Sequence, residues 1–333
     1  MKKLILTLFY ILFSVASFGG NNFLKKPHLK VLDIGNSYTE DATAYLKLIV
    51  DSLNVNVDDM CVYKAYRGGA SFRDWYNVYH NKDNANYSIS KVVGGLNANV
   101  KEGSGRPYDG ALFRRLLIEE KWDLIIIHQY SGYSTAYNKW TRKGNDGYLI
   151  ELLKIIRLFQ PQCKLGFLLI HSYASSYKRN AEKSSLKRWN NIASVARKFA
   201  RNYRVDFVIP YGTAIQNLRS TEYNNSMDLT RDGTHLGMGL ARYTAACCYY
   251  ETLIAPRTGV SMLGAKIGCS VEDDPKTSKI SVNTENMITA QKAAKLACMF
   301  PYSCNNPNNY SLGMLASGKI GPRNTVPYRS AAK

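Results

Sequence analysis

Apolar runs and helical spacings alternate along this chain. Positions 30–34 read as a short strand closed by Gly35, and 41–53 carries apolar residues at 42, 45, 46, 49, 50 and 53, the spacing of a helix with one buried face. A second strand is predicted at 60–65, ending in the turn Arg67-Gly68-Gly69. The stretch 81–107 is polar and glycine-rich and reads as an insertion or long loop. Beyond it the pattern resumes: helix 110–121, strand 123–127, helix 147–159 stopped before Pro161, strand 164–170, helix 180–202, strand 205–209 and helix 236–253. Short strands that are apolar at every position are buried on both faces, as in a parallel sheet covered by helices. The expected fold is therefore α/β, a flavodoxin-like three-layer α/β/α arrangement around a five-stranded parallel sheet. Its functional site should lie outside the carboxyl ends of the strands.

Composition supports a globular reading and adds one segment of a different kind. Of the 333 residues, 45% are hydrophobic, enough for a sizeable core. At the amino end, Lys2 and Lys3 precede an apolar run over 4–16, and small residues cluster at 16–20. That is the layout of a signal peptide, so 1–20 is expected to be removed and the protein exported to the periplasm or the exterior. An uncleaved anchor is the alternative. No later run reaches the roughly 18 apolar residues of a membrane span, so no stable insertion is expected after cleavage. Residues 21–256 would form the main domain. Residues 257–333 would form a C-terminal extension with a helix over 285–300 and a basic tail rich in Gly, Pro and Asn.

The net charge of +19 suits anionic partners. Its Lys and Arg are scattered along helices, as at Lys178, Arg179, Lys183, Lys187 and Arg188, and form no nucleic-acid motif, so no nucleic acid is expected. Seven Cys fall at 61, 163, 247, 248, 269, 298 and 304, with no C-x-x-C pair, and no metal or cofactor is expected. Cys298 and Cys304 are near enough in sequence to pair, which spacing alone leaves open.

Two short motifs carry chemistry. Strand one ends in Gly35-Asn36-Ser37, which places a hydroxyl at the mouth of the following helix, among backbone N–H groups. Ser and Asn are also ordinary cap residues, so this motif alone decides nothing. Asp232-Gly233-Thr234-His235 stands before the last helix, and a carboxylate three residues before a His can orient the ring and stabilise its protonated form. A Ser nucleophile, weak at its own pKa, needs such a base. His128 and His171 also follow apolar strands, but only His235 has an acidic partner at this spacing.

Together, over about residues 29–254, these features resemble the SGNH (GDSL-like) hydrolase superfamily, whose four blocks carry Ser, Gly, Asn and His. The resemblance is strongest to an exported bacterial branch of the domain-of-unknown-function type, in which Gly-Asn-Ser-x-x-x-Asp-Ala is a typical opening, as at 35–42 here. It implies that Ser37 is the nucleophile, His235 the base and Asp232 the acid that orients it. Gly69 occupies the glycine block and would donate its N–H to the oxyanion together with that of Ser37. The Asn block departs from the pattern: strand three runs into His128-Gln129-Tyr130-Ser131, so Gln129 would supply the side-chain amide, with a structural role as the competing reading. The implied activity is ester hydrolysis without a cofactor, on a small-molecule or glycan ester, with a carbohydrate O-acetylesterase preferred. A lipid or aryl esterase, or a non-catalytic glycan-binding protein with the same fold, are the alternatives.

Overall fold

The computed structural model describes residues 21–142, 147–267, 270–318 and 320. The expected signal segment, Cys269 and the end of the basic tail lie outside the described residues. The chain order is β1 (Leu29–Gly35), α1 (Ser37–Thr43), α2 (Leu46–Leu53), β2 (Met60–Tyr66), α3 (Phe72–Tyr79), β3 (Tyr87–Val93), β4 (Gly103–Gly105), α4 (Ala111–Ile118), β5 (Leu124–Ile127), α5 (Leu149–Phe159), β6 (Lys164–Leu168), α6 (Ser185–Asn202), β7 (Phe207–Ile209), α7 (Tyr211–Leu218), α8 (Leu240–Leu253) and α9 (Thr284–Met299), with shorter turns of helix between.

The sheet has seven strands, not five, in the order β4-β3-β2-β1-β5-β6-β7. Its core is the expected one: β2, β1, β5, β6 and β7 run parallel, and counted alone they follow the flavodoxin order 2-1-3-4-5. The two additional strands are antiparallel and come from the 81–107 stretch read as a loop. At this edge the side chains of β3 are only alternately buried, and β4 is Gly-Ser-Gly, so neither shows the continuous apolar run that marked the central strands. β1 and β5 are buried almost throughout, and each residue of β5 is fully covered.

Helices cover the sheet in two groups. α8 packs against α1, α2, α7 and α9, while α3 packs against α4 and α5. The single helix expected over 41–53 is two helices, broken at Ala44-Tyr45. The expected C-terminal extension docks on the main body: Gln291 Nε2 donates to Tyr243 Oη and to the Ala265 carbonyl (both 2.8 Å), and Asn217 Nδ2 donates to the Ala293 carbonyl at 3.0 Å. Cys298 faces Cys248 at 3.8 Å between sulfurs, and both are free thiols, as is Cys304. No helix among the described residues is long and apolar enough to cross a membrane.

Candidate active site

Ser37 opens α1 directly after β1. The turn is fixed by Asn36, whose Oδ1 accepts the Tyr38 N–H at 3.0 Å and whose Nδ2 donates to the Ala70 carbonyl at 2.8 Å. The second bond ties the end of β1 to the loop after β2, where Gly69 lies. Gly69 has φ +66°, a left-handed conformation that a side chain would strain. Ser37 and Gly69 both line one cleft of about 250 Å³, with Asn36, Tyr38, Tyr130, Ser131, Tyr173, Tyr177, Arg179, Thr234 and His235.

His235 reaches this cleft from the loop before α8. Its Nε2 stands 2.8 Å from Ser37 Oγ, and its Nδ1 stands 2.6 Å from Asp232 Oδ2. The other Asp232 oxygen accepts from the Thr234 N–H (2.9 Å), the Thr234 hydroxyl (2.9 Å) and the His235 N–H (2.8 Å). Partial burial pulls the Asp232 pKa upward, but these donors and the imidazole outweigh it and hold the carboxyl well below the usual carboxylate range. Asp232 is therefore a carboxylate at neutral pH. It favours the ring tautomer with the proton on Nδ1, which leaves Nε2 free to accept the Ser37 proton.

Two buried residues, Asp41 and His171, hold this loop. Asp41, fully buried, accepts the Leu236 N–H at 2.8 Å and pairs with Arg231 (3.0 Å) and Arg242 (2.7 Å). His171 donates from Nε2 to the Thr234 carbonyl at 2.7 Å and accepts from the Tyr211 hydroxyl at 3.1 Å. Burial, reinforced by Arg219, keeps His171 far below the ordinary His range, so it is neutral and can play both roles. Its ring stacks on Tyr38 at 4.5 Å between centroids. Asp41 was visible in sequence as part of the 35–42 opening, whereas nothing local pointed to His171.

Gln129 is placed differently from the other expected oxyanion donors. It is buried and does not line the cleft. Its Oε1 accepts from the Phe72 N–H (3.2 Å) and the Tyr130 N–H (2.8 Å), bracing the loop that carries Gly69. Its Nε2 is buried without a hydrogen-bond partner among the described residues. No cluster of three or more His, Cys, Asp or Glu suited to a metal occurs among those residues.

Residues 30–261 match the family described as Domain of unknown function (DUF4886). The chain belongs to the DUF4886 family. A crystal structure of a DUF4886 family protein from Bacteroides uniformis superposes with a TM-score of 0.66 at 26% identity, covering 85% of this chain and all of that one. An acetyl xylan esterase (TM-score 0.41, 17% identity, 68% of this chain, 100% of that chain) and a gut microbial diltiazem-metabolizing enzyme (0.38, 13%, 70% and 47%) are more distantly similar. Those two likenesses are too low to bear on what this DUF4886 chain does. No curated protein matches it significantly.

Proposed function

We propose that this chain is a serine ester hydrolase of the SGNH type, acting by acyl-enzyme chemistry. The observation that carries the reading is the continuous Ser37–His235–Asp232 hydrogen-bond series at 2.8 and 2.6 Å, open to a cleft. His235 Nε2 takes the Ser37 proton as Oγ attacks the ester carbonyl carbon. The resulting oxyanion meets the N–H of Ser37, which as the first residue of α1 has no intrahelical acceptor, and that of Gly69. His235 then gives its proton to the departing alcohol oxygen, and water, deprotonated by the same imidazole, releases the acid and frees Ser37. Asp232 stays ionised throughout and stabilises the imidazolium.

The preferred substrate class is an O-acetylated carbohydrate. A small acyl group suits a modest cleft, and the tyrosines along it offer ring faces and hydroxyls to a sugar. Export of the mature chain to the periplasm or beyond belongs to the same proposal. The test is covalent: a serine-directed phosphonate should label Ser37 and no other hydroxyl, as read by mass spectrometry. Ser37→Ala and His235→Ala should each abolish nearly all hydrolysis of an activated acetate, and the double variant should be little worse, because the two act as a unit. An active enzyme that carries its adduct elsewhere ends the proposal. A folded parent inert towards every ester would favour a binding role instead.

A further inference from the structure

Among the described residues that line the cleft, one cation has no charged partner. Arg179 lines the same wall as Tyr173 and Tyr177, is exposed, and makes no ion pair or hydrogen bond among the described residues. Nearby arginines are occupied. Arg188 pairs with Glu182 and lies 3.9 Å over the Tyr173 ring, and Arg231 is committed to Asp41. Among the described residues, no carboxylate lines the cleft.

The segment that carries Arg179 is also fastened to the catalytic loop. The Ala174 N–H donates to the Gly233 carbonyl at 2.9 Å, and the Ser175 N–H donates to Asp228 at 2.6 Å. Asn180 Nδ2 closes the loop on the Ala174 carbonyl at 2.9 Å. Tyr177 lies on Gly233, where an added Cβ would come within 2.5 Å of the ring, so the contact needs a glycine between Asp232 and His235. The backbone that carries Arg179 is thus tied to the loop that carries Asp232 and His235.

We infer that Arg179 is a specificity residue that receives a carboxylate on the alcohol side of the ester, so that the substrate is an O-acetylated acidic glycan carrying uronic acid units. This rests on the esterase reading above, in which the acetyl group is too small to bear the charge itself. A planar guanidinium matches a carboxylate through two parallel N–H donors, a geometry that Lys does not reproduce. Tyr173 and Tyr177, with ring centroids 5.1 Å apart and edge to face, form the wall beside which the sugar ring lies. The basic surface of the whole chain, at +19, attracts such a polymer from a distance, and Arg179 reads it at the site.

The experiment compares the parent chain, Arg179→Ala and Arg179→Lys on O-acetylated polygalacturonate, on O-acetylated mannan as the neutral polymer, and on an aryl acetate. The parent is expected to favour the acidic polymer. Arg179→Ala should lose about tenfold or more in kcat/KM on that polymer, mainly through KM, which is the scale of one charge-assisted contact. On mannan and the aryl acetate it should stay within about twofold, and Arg179→Lys should fall between the two. A parent that cleaves the aryl acetate without preferring the acidic polymer overturns the inference and leaves the esterase reading intact. So does an Arg179→Ala that keeps the preference or loses equally on every substrate. A parent inert on all three removes the esterase reading, and this inference with it.

Discussion

Ser37 and His235 meet from two loops that are positioned by different means. The Ser37 turn is an extension of the sheet. β1 is buried almost throughout, Asn36 is 1% exposed, and the turn is tied through the Ala70 carbonyl to the loop after β2. Close packing and backbone geometry set its place. The 232–235 loop belongs to no strand or helix and is half-exposed at both Asp232 and His235. Polar clamps hold it instead: Asp41 on the Leu236 amide and on two arginines, and His171 on the Thr234 carbonyl. The proposed nucleophile, Ser37, is thus placed by the fold, and the proposed base, His235, by a few buried hydrogen bonds. Substitutions at the clamps should therefore be costlier than loop exposure suggests.

Short of the near-total loss expected at Ser37 or His235, the largest effect is expected at Asp232. Asp232→Asn can keep the acceptor for Thr234 and the His235 amide, but it turns a donor towards Nδ1 and favours the wrong ring tautomer. Turnover of an aryl acetate should fall by about 10⁴, with the fold unchanged by circular dichroism. A loss below about tenfold would show that the ring is oriented by other groups.

Next comes the clamp itself. Asp41→Ala leaves Arg231 and Arg242 without their shared carboxylate and the Leu236 N–H without its acceptor. Breaking such a buried pair costs about 3–5 kcal/mol, measurable by denaturant unfolding at neutral pH. If stability changes by less than about 1 kcal/mol, the loop has a support other than this one.

Gln129 sharpens the comparison from the side of the nucleophile, because its two amide groups have separate jobs. Gln129→Glu can retain the acceptor for the Phe72 and Tyr130 amides and removes the unpartnered Nε2 donor. If that donor serves the oxyanion, turnover should drop about 10²–10³ with thermal stability nearly kept. If Gln129 only braces the loop, the Glu variant should be close to the parent in rate, and Gln129→Ala should lose stability instead.

What the sequence disclosed follows the same division. Strands buried on both faces are apolar at most positions, so the five parallel strands were legible, and so were motifs confined to a few residues, such as Ser37 and Asp232-x-x-His235. Edge strands β3 and β4 were not, because half-buried or glycine-built strands share the composition of loops. α7 left no period to read: all eight of its residues are buried, and an element buried all round has no polar face. The clamps are long-range, with Asp41 lying 195 residues from its partner Leu236. No spacing rule reaches that far, and a lone His171 after an apolar strand gives no sign of the carbonyl it will hold.

Beneath the Ser37 turn, Asp33 and His128 provide the subtlest test of how the nucleophile is placed. The Thr39 hydroxyl lies 3.0 Å from both Asp33 Oδ1 and His128 Nε2, while the Asn36 N–H donates to the same Nε2 at 3.3 Å. Nε2 is therefore an acceptor, and one hydroxyl proton cannot satisfy it and an ionised Asp33 together. A protonated Asp33 resolves this by donating to Thr39, which donates to His128, while Tyr249 donates to the other Asp33 oxygen. Burial supports that state. It pushes Asp33 up to about 7 against opposing hydrogen bonds from Thr39 and Tyr249, and it pushes His128 down to about 4. The two act on stability with opposite signs. Asp33, whose folded pKa is above its unfolded value, loses stability as pH rises from about 4 to about 7. His128, whose folded pKa is below its unfolded value, loses stability as pH falls from 6.5 to about 4. Between about pH 4 and 6.5 the contributions nearly cancel. Measured relative to the parent, Asp33→Asn should therefore become more stable as pH rises through this window, and His128→Asn less stable. Each slope is at most about 1.4 kcal/mol per pH unit, the limit for one proton. Parallel curves for the parent and Asp33→Asn across pH 4–6.5 would mean that Asp33 is ionised in the fold and that the Thr39 hydroxyl leaves one of its two neighbours unserved.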